Sequence, residues 1–86
     1  MRLDKYLKIS RLIRRRTVAN EACDAGRVLV NSKPARASYE VKLGDVLEIG
    51  IGSRSLRVQV MAVEEYAAKG EASSLYQVLS DSSAGI

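Results

Sequence analysis

The sequence contains no histidine, one cysteine, one proline and no aromatic residue other than four tyrosines. Without histidine the chain lacks the usual general base and the commonest metal ligand, and Cys23 alone cannot build a zinc site. A single cysteine also excludes an intramolecular disulfide, which is consistent with a reducing cytoplasm. We therefore expect no metal and no cofactor, and we expect Cys23 to be a small core residue rather than a reactive thiol.

Long apolar runs are missing as well. No stretch is long enough to span a membrane, and the N-terminal residues 1–5 lack the apolar core of a signal peptide. The 86 residues are 47% hydrophobic, which suffices for one domain with one modest core. We expect a cytoplasmic domain over residues 1–80 that includes a short C-terminal β extension, a flexible tail at 81–86, and no association with a membrane.

Charge is distributed unevenly along the chain. Residues 1–36, here called the basic segment, hold ten Lys or Arg and three acids, for a net charge of +7. Residues 37–86, here called the acidic segment, hold four bases and seven acids, for a net charge of −3. The charge of the basic segment is typical of a surface that binds a polyanion. The acidic segment is expected to support that surface and not to bind the polyanion itself.

A second helix is predicted from residue 15 to residue 25, with Val18, Ala19 and Ala22 on one face. Gly26 follows, where a left-handed residue ends a helix. Arginines occupy the expected N-cap, where Ser, Thr, Asp or Asn would stabilise the helix by about 1 kcal/mol. Because the N–H groups and the dipole of a helix N-terminus already favour an anion, arginines at 14–16 predict an anion-binding site there. The alternative is a basic surface run without a ligand.

Apolar spacing predicts the rest of the fold. The first predicted elements are a helix at 3–9, a strand at 28–30, a turn at 31–34, an extended segment at 35–39 and a turn at 41–45. They are followed by strands at 46–49 and 56–62 around a glycine-bounded loop at 50–55, a polar excursion at 65–74 and a final strand at 75–79. Leu12 and Ile13 are expected to fill the core between the helices. The fold class is α+β, with two N-terminal helices packed on a small, mostly antiparallel sheet.

Three motifs occur in the order found in the S4 domain, an RNA-binding domain first seen in a small-subunit ribosomal protein. They are R-L-D-K at residues 2–5, Arg16 followed by G-R-V-L-V-N at 26–31, and G-D at 44–45 before a strand. Over residues 1–49 the chain thus resembles that family, with two departures. Arg15 replaces a frequent Ser or Thr, and Ser32 replaces the glycine that usually follows Asn31. Since a tight turn requires a positive φ that serine tolerates poorly, we expect a wider turn.

The resemblance implies an S4-like (alpha-L) fold that recognises structured RNA with its two-helix face and the adjoining hairpin. As a stand-alone S4 domain, the chain is similar to bacterial ribosome quality-control factors. These imply binding to large-subunit ribosomal RNA and peptidyl-tRNA on obstructed large subunits, in support of an RqcH-like factor that adds C-terminal alanine tails. The chain is also similar to fifteen-kilodalton heat-shock ribosome-binding proteins, which imply recycling of stalled large subunits. We expect the protein to be a monomer.

Eleven residues are candidates for RNA binding. Those that match the family motifs are Arg2, Lys5, Arg16, Arg27 and Asn31. Those that rest on charge and placement are Arg11, Arg14, Arg15, Lys33 and Arg36, and the last candidate is Asn20, four residues after Arg16 on the predicted helix. Asp4 and Asn31 have an alternative structural role, in which they cap a turn or orient an arginine.

Catalysis is not expected. S4 domains also occur as appendages of RNA-modifying enzymes such as pseudouridine synthases, but Asp4, Asp24 and Asp45 are isolated acids without a partner at catalytic spacing. We also expect the chain to end before a catalytic domain could begin. The expected mechanism is neutralisation of phosphates by Lys and Arg, with RNA shape setting the target. Aromatic residues for base stacking are scarce, and only Tyr6, which we expect in the core, and Tyr39 are candidates.

Overall fold

The computed structural model describes residues 1–51, 54–63 and 75–83. Its elements are α1 (Leu3–Ile9), α2 (Arg16–Asp24), β1 (Val28–Val30), β2 (Lys33–Pro34), β3 (Val46–Ile51), β4 (Arg54–Val60) and β5 (Tyr76–Ser83). The strands form one sheet in the order β2-β1-β3-β4-β5, and every neighbouring pair is antiparallel. The predicted α+β architecture is confirmed. Within the described ranges, no helix is long and apolar enough to cross a membrane.

Both helices lie where the apolar spacing predicted them. α1 has the predicted bounds, and α2 is one residue shorter at each end than predicted because Arg15 and Ala25 are its caps. Gly26 has a φ of +77°, the left-handed conformation expected after a helix. The two helices are therefore delimited by local sequence signals.

The buried face of α2 differs from the predicted one. Ala19 and Cys23 are buried and Ala22 is partly buried, whereas Val18 is 46% exposed. Residues four apart share a helix face, while consecutive residues are about 100° apart around the axis. The core-facing stripe therefore centres on Ala19 and Cys23, and the prediction that Val18 shares it is wrong. Cys23 is the core residue that we expected.

The turn between β1 and β2 is tight, against our expectation of a wider one. Val30 pairs with Lys33, so only Asn31 and Ser32 connect the strands. Their φ angles are +51° and +70°, as a two-residue turn of the primed type requires. Serine therefore occupies the position that glycine usually holds, because strand register leaves no room for a longer loop. Lys33 and Pro34, predicted within the turn, form the edge strand β2, where proline is tolerated.

The chain between β2 and β3 contains one correction and one confirmed turn. At 35–39 the chain turns instead of extending, and the Tyr39 N–H donates to the Arg36 carbonyl at 3.0 Å. At the predicted entry to β3, Gly44 has a φ of +85° and the Asp45 N–H donates to the Lys42 carbonyl at 3.1 Å. The latter is the turn expected from the G-D motif.

The β3–β4 hairpin is longer than predicted. β3 continues to Ile51 and β4 already begins at Arg54, and these two residues pair with each other. The predicted loop at 50–55 is therefore wrong for residues 50–51 and 54–55, which belong to the strands, and residues 52–53 lie outside the described ranges. Cross-strand hydrogen bonding extends both strands into a segment that its glycines had marked as a loop.

The last strand corrects the predicted C-terminal tail. β5 runs to Ser83, with Asp81 opposite Leu56 and Ser83 opposite Arg54, so residues 81–83 belong to the sheet. The prediction of a tail from residue 81 is therefore wrong for these three residues, because pairing with β4 orders a polar segment that has no apolar pattern. Residues 84–86 and the predicted excursion at 65–74 lie outside the described ranges.

The core contains the inner sides of both helices and alternate residues of the sheet. Leu3, Tyr6 and Leu7 of α1 are fully buried, and the Tyr6 hydroxyl donates to the Leu75 carbonyl at 2.6 Å. Ile13 anchors the link between the helices as predicted, and Leu12 is partly buried beside it. The sheet contributes Val28, Val30, Leu47, Ile49, Val58 and Val60. This packing fixes α2 and the β1–β2 turn on one support.

Candidate nucleic-acid interface

The two helix N-termini differ in how their N–H groups are satisfied. At α1, the N–H groups of Leu3 and Asp4 donate to the backbone carbonyls of Tyr39 and Ala37, at 2.8 and 3.1 Å. At α2, the N-cap residue Arg15 is extended, and its side chain makes no capping hydrogen bond. Because the first N–H groups of a helix have no intrahelical acceptor, the start of α2 adds partial positive charge to that of its arginines.

A buried carboxylate gathers three of the candidate side chains into what we call the Asp4 cluster, which consists of Asp4, Arg2, Arg16 and Asn20. Asp4 lies on α1 and is 2% exposed. Its oxygens accept hydrogen bonds from Arg2 Nε at 3.2 Å, Arg16 Nε at 3.3 Å and Asn20 Nδ2 at 3.4 Å, and from the Lys5 backbone N–H at 2.8 Å. Arg16 and Asn20, four residues apart on α2, thus point to the same partner.

The hydrogen bonds of the cluster keep the Asp4 carboxyl ionised. Burial by itself raises the pKa of this group. The donors from Arg2, Asn20, Arg16 and the Lys5 N–H outweigh burial, and the pKa of Asp4 is lowered from its ordinary value. At neutral pH the cluster therefore combines one negative charge with two guanidinium charges.

The Asp4 cluster can bind a further anion. Arg2 directs Nε and Nη2 at the carboxylate, and Arg16 directs Nε. A guanidinium carries five N–H donors, and the side chains of Arg2 and Arg16 remain about half exposed, at 50% and 46%. The remaining donors are held in a fixed orientation that suits the oxygens of a phosphate.

The other candidates near the helices surround the start of α2. Arg11 has a φ of +63° in the link between the helices, and Arg11, Arg14 and Arg15 are all exposed. Lys5 is half-buried on α1 next to Asp4 in the sequence. No acid within residues 1–51, 54–63 and 75–83 forms an ion pair with the three arginines. Their charge is therefore available to a ligand.

Arg27 lies apart from the Asp4 cluster. It is exposed after Gly26 and lines a separate depression together with Ile13, Val18 and Gly50. Its backbone N–H donates to the Ala22 carbonyl at 2.9 Å and closes the end of α2. The structure thus separates Arg27 from Arg2 and Arg16, the motif-matched arginines of the Asp4 cluster.

The remaining candidates lie at the β1–β2 turn. The Asn31 side chain donates through Nδ2 to Asp45 at 3.1 Å and accepts the Val46 N–H at 3.0 Å. Both ends of the amide are thereby engaged in structural bonds, which is the structural role that the sequence left open. Lys33 and Arg36 are exposed and line a groove beside this turn. Asp4 likewise has the arginine-orienting role that was one of its two alternatives.

Two residues that organise the site were missing from the candidate set. From the sequence we expected only a structural role for Asp4. Its position as the single acid among the bases of residues 1–20 was the sequence signal that it could organise the arginines. Asp45 is 7% exposed and accepts hydrogen bonds from Asn31, the Tyr39 hydroxyl at 2.9 Å and the Lys42 N–H at 3.0 Å. The sequence gives no signal for the Tyr39 contact. Among the described residues, no three acids or cysteines are grouped as a metal ion requires.

Comparison with known proteins identifies the family of the chain. The model of the S4 domain matches residues 1–47. The RQC P-site tRNA stabilizing factor of Halalkalibacterium halodurans is 51% identical over 78 residues, which cover 91% of this chain and 89% of that protein. The factor of the same name from Bacillus subtilis is 45% identical over 85 residues and 99% of each chain.

A more distant similarity links the chain to heat-shock proteins. The heat shock protein 15 homolog of Haemophilus influenzae is 30% identical over 78 residues, which cover 90% of this chain and 60% of that protein. The structure of Vibrio cholerae heat shock protein 15, described as trimeric, superimposes with a TM-score of 0.84 at 25% identity and covers 91% of this chain and 80% of that one.

The match to the S4 domain model and the identity to the two stabilizing factors together establish the family. The chain therefore belongs to the S4 domain family and, within it, to the family of the RQC P-site tRNA stabilizing factors.

Proposed function

We propose that this protein is a ribosome quality-control factor that binds large ribosomal subunits and holds the tRNA in their P site. The observation that carries the proposal is the Asp4 cluster beside the uncapped start of α2. The two oriented arginines and the helix N-terminus would together form one site for phosphates. The names of its relatives, which state that they stabilise P-site tRNA, support the same function.

Binding would follow from neutralisation of phosphates. Each Lys or Arg that contacts a phosphate releases condensed counterions, so that affinity falls as salt rises. The exposed candidate cations lie around the start of α2, at Arg27 after its end, and beside the β1–β2 turn, which suits RNA strands that approach from more than one side. We therefore propose that ribosomal RNA and the peptidyl-tRNA contact different parts of the basic segment.

The function would be binding without catalysis, in the cytoplasm. Asp4 and Asp45 are the two buried acids among the described residues, and their oxygens accept hydrogen bonds from groups within the protein, so neither is placed as a general base. A factor that keeps peptidyl-tRNA in place would support an RqcH-like protein that adds alanine to the nascent chain. The acidic segment would repel further RNA, so that contacts with RNA would be confined to the basic segment.

A second candidate function is recycling of stalled large subunits, as the similarity to heat shock protein 15 suggests. It requires the same basic surface. The two functions differ in whether alanine tails accumulate on the nascent chains of the bound particles, and this is what separates them experimentally.

The test is to purify the tagged protein from cells at near-physiological salt and to identify its particles. We expect large subunits that carry peptidyl-tRNA, with this association abolished in Arg16→Ala and retained in the matched control Arg54→Ala. Association with intact small subunits or with free RNA alone would contradict the proposal. Large subunits whose nascent chains lack alanine tails would favour the recycling function.

A further inference from the structure

An open groove of about 630 Å³ lies beside the β1–β2 turn, apart from the Asp4 cluster. Val30, Pro34, Ala35 and Tyr39 give it apolar surface, and Lys33 and Arg36 give it positive charge. No acidic side chain of the described residues lines it. A groove with this lining selects an anionic ligand that also has a flat apolar part.

We propose that the groove receives one unpaired nucleotide of the bound RNA, with its base against the Tyr39 ring and its phosphates near Lys33 and Arg36. This inference rests on the proposed function, because it requires an RNA ligand, and it goes further by assigning a nucleotide to a site. The volume lies within the range of pockets that hold molecules of this size. Stacking on an aromatic side chain is how proteins usually hold an unstacked base.

The two sides of the groove are held together by Asp45. Its Oδ2 accepts the Tyr39 hydroxyl at 2.9 Å, and its Oδ1 accepts the Asn31 amide at 3.1 Å. The side-chain Oδ1 of Asn31 in turn accepts a hydrogen bond from the Val46 N–H at 3.0 Å, so the turn and the tyrosine are both tied to the start of β3. Because the groove is formed before the ligand arrives, binding loses little conformational entropy in its walls.

Tyr39 offers the RNA its ring and not its hydroxyl, since the hydroxyl is engaged with Asp45. The ring is partly exposed and packs against the core on its other side. Burial and the neighbouring Asp45 carboxylate raise the pKa of Tyr39, which keeps the phenol neutral. Phenylalanine at this position would therefore preserve the stacking surface and remove only the structural hydrogen bond.

The experiment compares the affinity of the wild-type protein, Tyr39→Phe and Tyr39→Leu for purified large subunits, after circular dichroism has shown that each variant is folded. We expect Tyr39→Phe to bind within about twofold of wild type and Tyr39→Leu to bind about tenfold more weakly, from the effect of removing one stacked base. Equal reductions of affinity in both variants would show that Tyr39 acts only through its hydrogen bond to Asp45. Unchanged affinity in both would show that the groove does not bind RNA. Either result overturns the inference and leaves RNA binding intact.

A competition measurement tests the chemical class of the occupant. A short RNA hairpin with one unpaired base should displace the protein from large subunits better than the same hairpin fully paired, and Tyr39→Leu should abolish this preference. Polyglutamate of the same total charge serves as a competitor of another class. If it displaced the protein as well as the hairpin with the unpaired base, the groove would be assigned to an acidic protein and the inference would be overturned. Failure of the wild-type protein to bind large subunits at all would instead refute the proposed function, and the inference with it.

Discussion

Arg16 in the basic segment and Arg54 in the acidic segment both donate hydrogen bonds to an aspartate, but only the Arg54 pair is electrically neutral. Arg54 forms a one-to-one pair with Asp81, through Nε at 3.0 Å and through Nη2. Asp4 is instead shared by Arg2 and Arg16. The side chain of Asp81 is 43% exposed and that of Asp4 is 3% exposed. The first arrangement neutralises an arginine on the surface, whereas the second uses one buried acid to orient two.

This difference extends to the neighbouring cations. Arg57 on β4 approaches Glu48 on β3 at 3.9 Å, so both described arginines of the acidic segment have an acidic partner. In the basic segment, no acid within the described ranges forms an ion pair with the arginines at 11, 14, 15, 27 and 36. Pairing therefore enlarges the contrast that the charge count alone indicates, and among the described arginines the charge without an acidic partner lies in the basic segment.

The largest effect should come from reversing charge in the two segments. Arg15→Glu combined with Arg16→Glu should weaken binding to large subunits by more than about a hundredfold at low salt, because each reversal replaces attraction to a phosphate with repulsion. The slope of log affinity against log salt should become shallower by about one for each phosphate that is no longer neutralised. The matched double variant, Arg54→Glu with Arg57→Glu, should change affinity by less than about threefold. Equal effects of the two double variants in a filter-binding titration would refute the asymmetric surface.

The two aspartates themselves provide the next comparison. Asp4→Ala leaves two guanidinium groups adjacent without their shared acceptor, which should lower the free energy of unfolding by about 2 kcal/mol. In a domain of this size that corresponds to a fall in Tm of roughly 10 °C. Asp81→Ala should leave Tm nearly unchanged, because exposed ion pairs contribute little. Thermal melts followed by circular dichroism measure both, and similar shifts would show that burial does not distinguish the pairs.

Because the pKa of Asp4 is lowered in the folded state, its contribution to the free energy of unfolding depends on pH. Its stabilising contribution should be complete above the ordinary aspartate pKa of about 3.9 and should be lost as pH falls through the lower pKa of the folded state. The difference in unfolding free energy between the wild type and Asp4→Asn should therefore be constant from about pH 7 to 5 and shrink below about pH 4. Urea titrations across this range test it, and a difference that grows on acidification would contradict the assignment.

A smaller effect is expected at the β1–β2 turn. Ser32 adopts a φ of +70°, a conformation that glycine adopts at lower cost, so Ser32→Gly should stabilise the fold. The greater freedom of glycine in the unfolded chain offsets part of the gain, which leaves about 0.5 kcal/mol and a rise in Tm of a few degrees. The control Ser38→Gly changes a serine outside the left-handed region and should not raise Tm. A lower Tm for Ser32→Gly would mean that the turn does not require what glycine supplies.

The last comparison concerns the rigidity of α2 and uses Cys23, which is buried near the C-terminal end of this helix. Burial, together with the charges of Asp4 and Asp24, raises the pKa of this thiol to about 11. Since the thiolate is the reactive form, the native protein should react with a disulfide reagent at about pH 8 far more slowly than the urea-unfolded protein. Equal rates would show that α2 opens readily, and that the arginines are not held on a rigid support.

The sequence predicted elements that depend on local signals. The bounds of α1, the end of α2 at Gly26 and the alternation in β1 all follow from spacing and turn residues within a few positions. The absence of a side-chain cap at Arg15 was also visible in the sequence and is found in the structure. In each case the determining contacts lie within one turn of a helix or one strand.

The parts that the sequence did not predict depend on contacts between distant residues. Strand pairing orders residues 81–83, which have no apolar pattern, and it holds Ser32 in a conformation that serine alone disfavours. The Asp45 contacts to Asn31 and Tyr39 span 14 and 6 residues of sequence. Periodicity carries no information about such polar contacts. The groove that they hold together was therefore not predicted, although Asn31, Lys33 and Arg36 on its lining were candidates.

Hydrogen exchange of the protein, free and bound to large subunits, tests the central claim most directly. The amides at the start of α2 lack intrahelical acceptors and should exchange rapidly in the free protein. Binding should protect these amides and those of the β1–β2 turn, while peptides from β4 and β5 keep their exchange rates. Protection centred on β4 and β5, with the start of α2 unchanged, would contradict the assignment of RNA binding to the basic segment.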